Sequence, residues 1–305
     1  MNRNFARSEI VTPERLSALQ RRADGPGLRR LGAQSALYFA SAAGLLLIHD
    51  PVLLAPTFVV SAAVQFGMFG MLHEACHQTA FASRSLSLLA GWVAALAQPM
   101  TPALMRAFHF EHHRHTHELA RDPELAGMPF MVRWPRHVIW LLTLTGLPVL
   151  MARFGWTLFA ALNPPGALWE KVLPFVKPDK RGRIAWEARG LVLIHGGLLL
   201  AAALVYPPIA RIYAAMLAGH ALLSFYITCE HRGLPEGGTI LERTRSLETP
   251  AVVRWLLWNM PYHAEHHGWP AVPFHALGDL HAEVRDHLPN RVSPLYLHLH
   301  RGNRP

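Results

Sequence analysis

Long, uniformly apolar blocks alternate with short polar stretches along this chain, and the blocks rather than any amphipathic period predict its elements. Residues 31–49 (LGAQSALYFASAAGLLLIH) carry no acidic or basic side chain except the terminal His49. At about 1.5 Å per helical residue such a run nearly crosses a hydrocarbon core. Asp50-Pro51 then turns the chain, and residues 52–72 (VLLAPTFVVSAAVQFGMFGML) return across the membrane to end directly at HEACH. Residues 86–99 are apolar but short for a crossing, which predicts an interfacial or re-entrant helix. In 137–162 the apolar run is broken by Pro148 and Arg153, so this segment is expected to associate with the membrane without fully crossing. Residues 190–205 and 209–228, joined at Pro207-Pro208, read as a second hairpin of spans. The fold class expected is an all-α membrane protein: four transmembrane helices in two hairpins, interfacial helices, and a histidine-rich cap.

Composition supports a membrane protein and charge orients it. Hydrophobic residues make up 51% of the chain and charged ones only 16%, a balance expected of a chain that meets lipid. The net charge of +9 sits on arginines between the apolar blocks rather than on a continuous basic stripe, so no nucleic-acid partner is expected. Seven arginines stand against Glu9, Glu14 and Asp24 in the first thirty residues, and the loop NPPGALWEKVLPFVKPDKRGRIAWE is also basic. The two tight turns carry almost no positive charge. By the positive-inside tendency, both termini and the long loops are expected in the cytoplasm. The polar first thirty residues hold no apolar stretch of a cleaved signal, so insertion through the first span is expected. Three regions follow: a polar segment 1–30, one membrane domain 31–290, and a basic tail 291–305. No internal repeat is visible, and the two cysteines, Cys76 and Cys229, suggest free thiols.

The chemistry lies in the histidines. His73 and His77 in HEACH are four residues apart, on one helical face. HFEHHRHTH contains His109, His112 and His113 in an HxxHH spacing, with His115 and His117 beyond. HAEHH repeats that spacing with His263, His266 and His267, and His231 ends the last predicted span in CEHRG. A single histidine at a helix end is commonly a hydrogen-bonded or dipole-compensating residue. Three clusters on one predicted membrane face point instead to a shared metal site. Taken alone, HExxH also describes a zinc peptidase with Glu74 as general base. A zinc site uses four ligands at most, fewer than these clusters offer, so number favours two metals, and a dioxygen-binding iron pair is the natural choice. Ligating imidazoles commonly donate their other N–H to an oxygen, which makes Glu111, Asp122, Glu230 and Glu265 candidates for that supporting role.

The order HExxH, HxxHH, HxxHH, with the flanks HRHTHELARDPEL and NMPYHAEHHGWPAVPFHALGDLH, resembles the membrane fatty acid desaturase family from about residue 35 to 290. That resemblance implies two irons held by His73 and His77, by His109, His112 and His113, and by His263, His266 and His267, with His231 as an additional ligand. Asn259 would hold a water or support a ligand. It further implies dioxygen as co-substrate, a lipid or acyl-chain substrate (acyl-lipid or acyl-thioester), and removal of two hydrogens to form a carbon–carbon double bond. Without an HPGG motif a fused haem domain is not expected, so electrons should come from a separate donor such as a ferredoxin with its reductase. The alternatives are an iron-dependent hydroxylase or ketolase of a lipid, carotenoid or small nonpolar molecule, and the zinc peptidase.

Overall fold

The computed structural model describes residues 7–126 and 136–292, most of them helical. The frame consists of α1 (Asp24–Leu47), α2 (Pro51–His77), α3 (Arg84–Ala95), α4 (Pro102–His115), α5 (Leu147–Leu162), α6 (Pro178–Leu204) and α7 (Ala210–His231), and the short α8 (His263–Gly268) carries the third histidine cluster. One parallel pairing, β1 (Ser246–Leu247) with β2 (Arg291–Val292), is the sheet among the described residues. The tail expected at 291–305 lies outside them beyond residue 292.

Among the described residues, three helices are long and apolar enough to cross a membrane: Pro51–His77, Pro178–Leu204 and Pro207–His231. The first expected span is helical too, but α1 opens with Asp24 and carries Arg29 and Arg30, so its uncharged part is confined to its later turns. Both predicted turns are present. Asp50 caps α2 by accepting from the Val52 amide at 2.8 Å, with Pro51 in the first turn where its missing N–H costs nothing. A 3₁₀ turn over Pro207–Ile209 separates α6 from α7. The turns are tied to each other: Tyr206 Oη donates to the Leu46 carbonyl at 2.6 Å, and Arg211 Nη1 donates to Leu45 and Ile48 at 3.0 and 2.9 Å. This brings the two hairpins into the same polarity and puts His77 and His231 at the same end of the bundle.

Two expectations are refined. α6 begins at Pro178, well before the apolar run, because the polar stretch DKRGRIAWEARG contains no helix breaker apart from tolerated glycines and follows a proline at the helix start. The break in 137–162 falls at Gly146 (φ 68°), between Arg136–Thr145 and α5, rather than at Pro148 or Arg153. Pro148 sits in the first turn of α5, and Arg153 is buried inside it, donating to Gln98 Oε1 and lying 5.1 Å from the Phe69 ring centroid. At sixteen residues α5 is about 24 Å long, short of a hydrocarbon core.

α2 is apolar on every side until its last turns, and its second half is surrounded by other helices while its first half is exposed. It packs against α1, α3, α4 and α7, and from Val64 to His77 every residue is buried. Its closest approach is to the segment that leads into α8: a Cβ on Gly70 would stand 2.4 Å from the Leu257 backbone. We predict that Gly70→Ala destabilises the protein by about 1–3 kcal/mol through this backbone overlap. Gly32→Ala, which meets nothing within 4 Å, is the control. Thermal unfolding in neutral lipid nanodiscs checks this, and an unchanged midpoint for Gly70→Ala would show that the approach does not constrain the fold.

Candidate metal centre

The first cluster occupies the last turns of α2, where the four-residue spacing stacks His73 and His77 on one face, ring centroids 5.0 Å apart. The second rides on α4, whose start is fixed by Thr101: its Oγ1 accepts from the Leu104 amide at 3.2 Å, with Pro102 in the first turn. The third forms α8, directly after a tight turn in which Trp258 and Asn259 both adopt positive φ. His231 ends α7.

Nine histidines converge as two groups. His73, His77, His109, His113 and His266 form one, and His112, His231, His263 and His267 form the other; within each group one ring nitrogen per residue lies within 4.8 Å of all the rest. HxxHH explains the division. In α4 the outer pair, His109 and His113, shares a face and joins the group of five, while His112 turns toward the group of four. In α8 the assignment is reversed, with His263 and His267 in the group of four and His266 in the group of five. His115 and His117 lie outside both groups. His115 sits by Glu118 and Glu111, and His117 Nδ1 is 3.0 Å from the Pro235 carbonyl.

The donor set fits cations. His113 Nε2 lies 2.8 Å from His109 Nε2 and 3.0 Å from His266 Nε2, and His263 Nε2 is 2.9 Å from His231 Nε2. Metal–nitrogen bonds of about 2.1 Å at right angles would set ligand nitrogens about 3.0 Å apart. Nε2 of His73, His77 and His267 is buried without a hydrogen-bond partner. Leaving such groups bare costs on the order of 1–3 kcal/mol each, a cost that a bound ion removes. Burial, reinforced by neighbouring imidazoles, holds His109, His113, His263 and His267 well below the ordinary histidine range, and His266 is pushed down to about 3. Burial thus favours the neutral form of these rings, the form that ligates. His112 differs: burial pulls it down, but Asp122 and Glu124 carry it up to about 9. A field that favours a proton there also favours a metal cation.

The outward-facing Nδ1 atoms of His112, His231 and His267 have oxygen partners. His112 Nδ1 donates to Asp122 Oδ1 and Oδ2 at 2.9 and 3.0 Å, with Glu124 Oε2 at 3.3 Å. Burial alone would raise the Asp122 carboxyl, but His112 and the His117 and Glu124 amides hold it below the usual carboxylate range. His231 Nδ1 donates to the Arg243 carbonyl at 2.9 Å, and His267 Nδ1 lies 3.2 Å from Thr116 Oγ1, whose hydroxyl donates to the His112 carbonyl at 2.8 Å. His263 Nδ1 is 3.2 Å from buried Glu230 Oε1. Of the expected supporting acids, Asp122 and Glu230 thus stand behind grouped histidines. Glu111 faces Arg114 and His115 instead. Glu265, fully buried, takes Ser246 and His281 as partners, and Asn259 Nδ2 donates to the Phe274 carbonyl at 2.8 Å. Sequence reasoning missed Glu124 and Thr116. Glu124 stands two residues beyond Asp122 and Thr116 one turn beyond His112, so adjacency to the second cluster was the available signal.

Glu74 bears on the peptidase alternative. Its Oε2 accepts from Thr79 Oγ1 and the Phe274 amide, both at 3.3 Å, and its Oε1 lies 3.4 Å from His73 Nδ1. The carboxylate is thus engaged behind His73, whereas a peptidase base must face a metal-bound water.

A family model described as fatty acid desaturase matches residues 50–298. Two curated relatives from Haematococcus lacustris, "Beta-carotene 4-ketolase 3" and "Beta-carotene ketolase", are each 26% identical over 230 residues, covering 72% of this chain and 60% of the relative. The chain therefore spans less than two thirds of their length.

If Asp122 supports His112 as a ligand, Asp122→Asn should retain iron about 10–100-fold more weakly against a chelator, with Glu111→Gln unchanged. Iron retention equal to that of the parent protein would remove Asp122 from the centre.

Proposed function

The chain belongs to the fatty acid desaturase family, and from that premise we propose that it is an integral membrane enzyme that oxidises a lipid with dioxygen at two irons. The observation that carries this reading is the separation of nine histidines into a group of five and a group of four. His73, His77, His109, His113 and His266 would hold one iron; His112, His231, His263 and His267 would hold the other. When bound, the iron pair supplies reductive activation of dioxygen and abstraction of an unactivated hydrogen. The protein's part is to fix the imidazoles in neutral form, to keep Asp122 and Glu230 behind them, and to bury the substrate segment so that one methylene is nearest the centre and bulk water is excluded.

The first reading of the reaction is desaturation of an acyl chain. Two substrate hydrogens, two electrons and two protons reduce one dioxygen to two waters, leaving an alkene. The second is ketolation or hydroxylation of a nonpolar substrate, favoured by the names of the two relatives. Both need an external electron source, and a ferredoxin with its reductase suits the requirement. The domain is taken as residues 31–290, after a polar segment 1–30 and before a basic tail 291–305. In its membrane arrangement α1, α2, α6 and α7 cross as two hairpins, with the termini and the metal centre cytoplasmic. Support comes from the tied turns and the basic segments at the histidine end of the bundle. α5 and the helix before it meet at Gly146, whose Cβ would overlap the backbone of His220 and Ala221 near the middle of α7, as a re-entrant pair would.

Elemental analysis of the untagged protein is expected to give about two irons and little zinc per chain. Incubation with a reducing partner should then yield an unsaturated acyl product. An alcohol or ketone would select the second reading, and one zinc without iron after iron-replete expression would end both. Topology has its own measurement. Cysteines at Ala120 and Ala167, both exposed, should react with an impermeant thiol reagent from one side and a cysteine at exposed His49 from the other. Labelling of the Ala120 and Ala167 variants from opposite sides would overturn the four-span arrangement.

A further inference from the structure

α8 carries three histidines that are shared between two groups, yet it is only six residues long. Isolated helices shorter than about 12–15 residues are marginal in water, so its orientation has to be imposed from outside. At about 100° per residue, His263, His266 and His267 span about 100° of arc, and Glu265 points roughly 150° away from their mean direction. The back of α8 therefore presents a carboxylate, and it has no exposure to solvent. Such a group is costly to bury unless it is paired.

Two side chains pair it. Ser246 Oγ donates to Glu265 Oε2 and accepts from the Ala264 amide at 3.1 Å, so one hydroxyl grips both the side chain and the backbone of α8. On the other carboxylate oxygen, His281 Nδ1 donates to Oε1. His281 lies on α9 (Leu277–Val284), and its ring stacks on Tyr262, the residue just before α8, with centroids 4.7 Å apart and planes 28° from parallel. Both partners are themselves fixed. The Ser246 amide donates to the Asn290 carbonyl at 3.1 Å, and the adjacent Leu247 amide donates to the Pro261 carbonyl at 2.8 Å. On α9, Glu283 accepts from Arg15 Nε at 2.6 Å.

Apolar contact alone would not set the rotation of α8. Ala264 belongs to a buried cluster with Leu277 and Leu280 of α9 and with Trp269. Burial of that kind is non-directional and tolerates a turn of the helix about its axis, whereas hydrogen bonds to both carboxylate oxygens do not. The ring nitrogens stand several ångström from the axis, so a rotation of roughly 20° would move them about 2 Å. A metal bond tolerates about 0.2 Å. The displacement would reach both groups at once, because α8 sends His266 to one and His263 and His267 to the other.

We propose that Glu265 and His281 are positioning residues of the metal centre: the carboxylate, clamped between Ser246 and His281, fixes the rotation of α8 and so divides its histidines between the two groups. The role rests on the reading of the nine histidines as ligands of two irons.

The test loads the full chain in lipid nanodiscs with isotopically enriched iron and records iron per chain, retention against a chelator, Mössbauer spectra, and the thermal midpoint of the metal-free protein. His281→Phe keeps a ring against Tyr262 and removes the donor, while His281→Asn keeps an N–H near the place of Nδ1. The phenylalanine variant should retain iron about tenfold more weakly and show altered spectra at both iron sites, and the asparagine variant should restore both properties. Should His281→Phe fail to fold, Ser246→Ala removes the other arm of the clamp with little change in volume and should give the same two-site change. Arg15→Gln loosens α9 from outside without touching the clamp and should leave iron and spectra unchanged. A merely structural contact would lower the midpoint or the iron content but leave the spectrum of the bound iron as in the parent. That result in His281→Phe and Ser246→Ala would overturn the positioning role, as would a change confined to one iron site. A parent protein without an iron pair would defeat the two-iron reading and the role with it, whereas a parent with two irons and insensitive variants defeats the role alone.

Discussion

Everything in this molecule is arranged around a crowd of imidazole nitrogens that cannot satisfy one another. Five rings in one group and four in the other bring their nitrogens together in buried space, some at 2.8–3.0 Å and several with no partner at all. Neutral rings can share a proton pairwise, but a group of five cannot close that way, and protonated rings would repel at low dielectric. A cation in each group resolves both difficulties. Placing so many unsatisfied polar atoms in a core is tolerable only when something else occupies their lone pairs, so the packing of the surrounding helices is best understood as scaffolding for that occupant.

The scaffolding works through register. Because α4 sends the outer histidines of its HxxHH to one group and α8 sends its outer pair to the other, the two helices interlock across both centres. Neither can rotate without disturbing both. The ends of α2 and α7 contribute the remaining histidines, and these ends share a level because the opposite turns are hydrogen-bonded to each other. At Gly70 the approach of the Leu257 backbone fixes the segment entering α8 against α2. Phe274 is held at both its backbone groups, its amide by Glu74 and its carbonyl by Asn259, so the exit from α8 is anchored to the first and third clusters alike.

Much of this was legible in the chain. The two hairpins followed from long apolar blocks and from Asp50-Pro51 and Pro207-Pro208, signals that are local and strong. The nine histidines were legible from spacing and family resemblance together, and the same nine form the two groups. Their partition was not, because it depends on how α4 and α8 face each other, which no local pattern records. Supporting groups were harder still. Asp122 and Glu230 could be suspected from adjacency, but adjacency equally suggested Glu265, which turns to Ser246 and His281. The extent of α6 was hidden because polar residues that look like a loop are compatible with a helix emerging from the membrane. Arg153 read as a break because a charge in an apolar run suggests exposure; Gln98 and the Phe69 ring give it a buried environment instead.

The location of the centre follows from the same physics. On the proposed reading a lipid comes from the hydrocarbon phase and electrons from the aqueous one, and a centre serving both belongs where the two meet. Helix ends provide that level without further cost, since the last turn of a spanning helix leaves the apolar core just as its side chains become free to carry polar atoms. His77 closes α2 and His231 closes α7. Buried neutral imidazoles then need oxygen partners to fix their tautomers. These come from the part of the chain outside the bundle, from Asp122, Thr116 and the Arg243 carbonyl, while Glu230 at the end of α7 stands 3.2 Å from His263 Nδ1. The helix bundle supplies position and the segments outside it supply polarity, and the histidine groups form where they overlap.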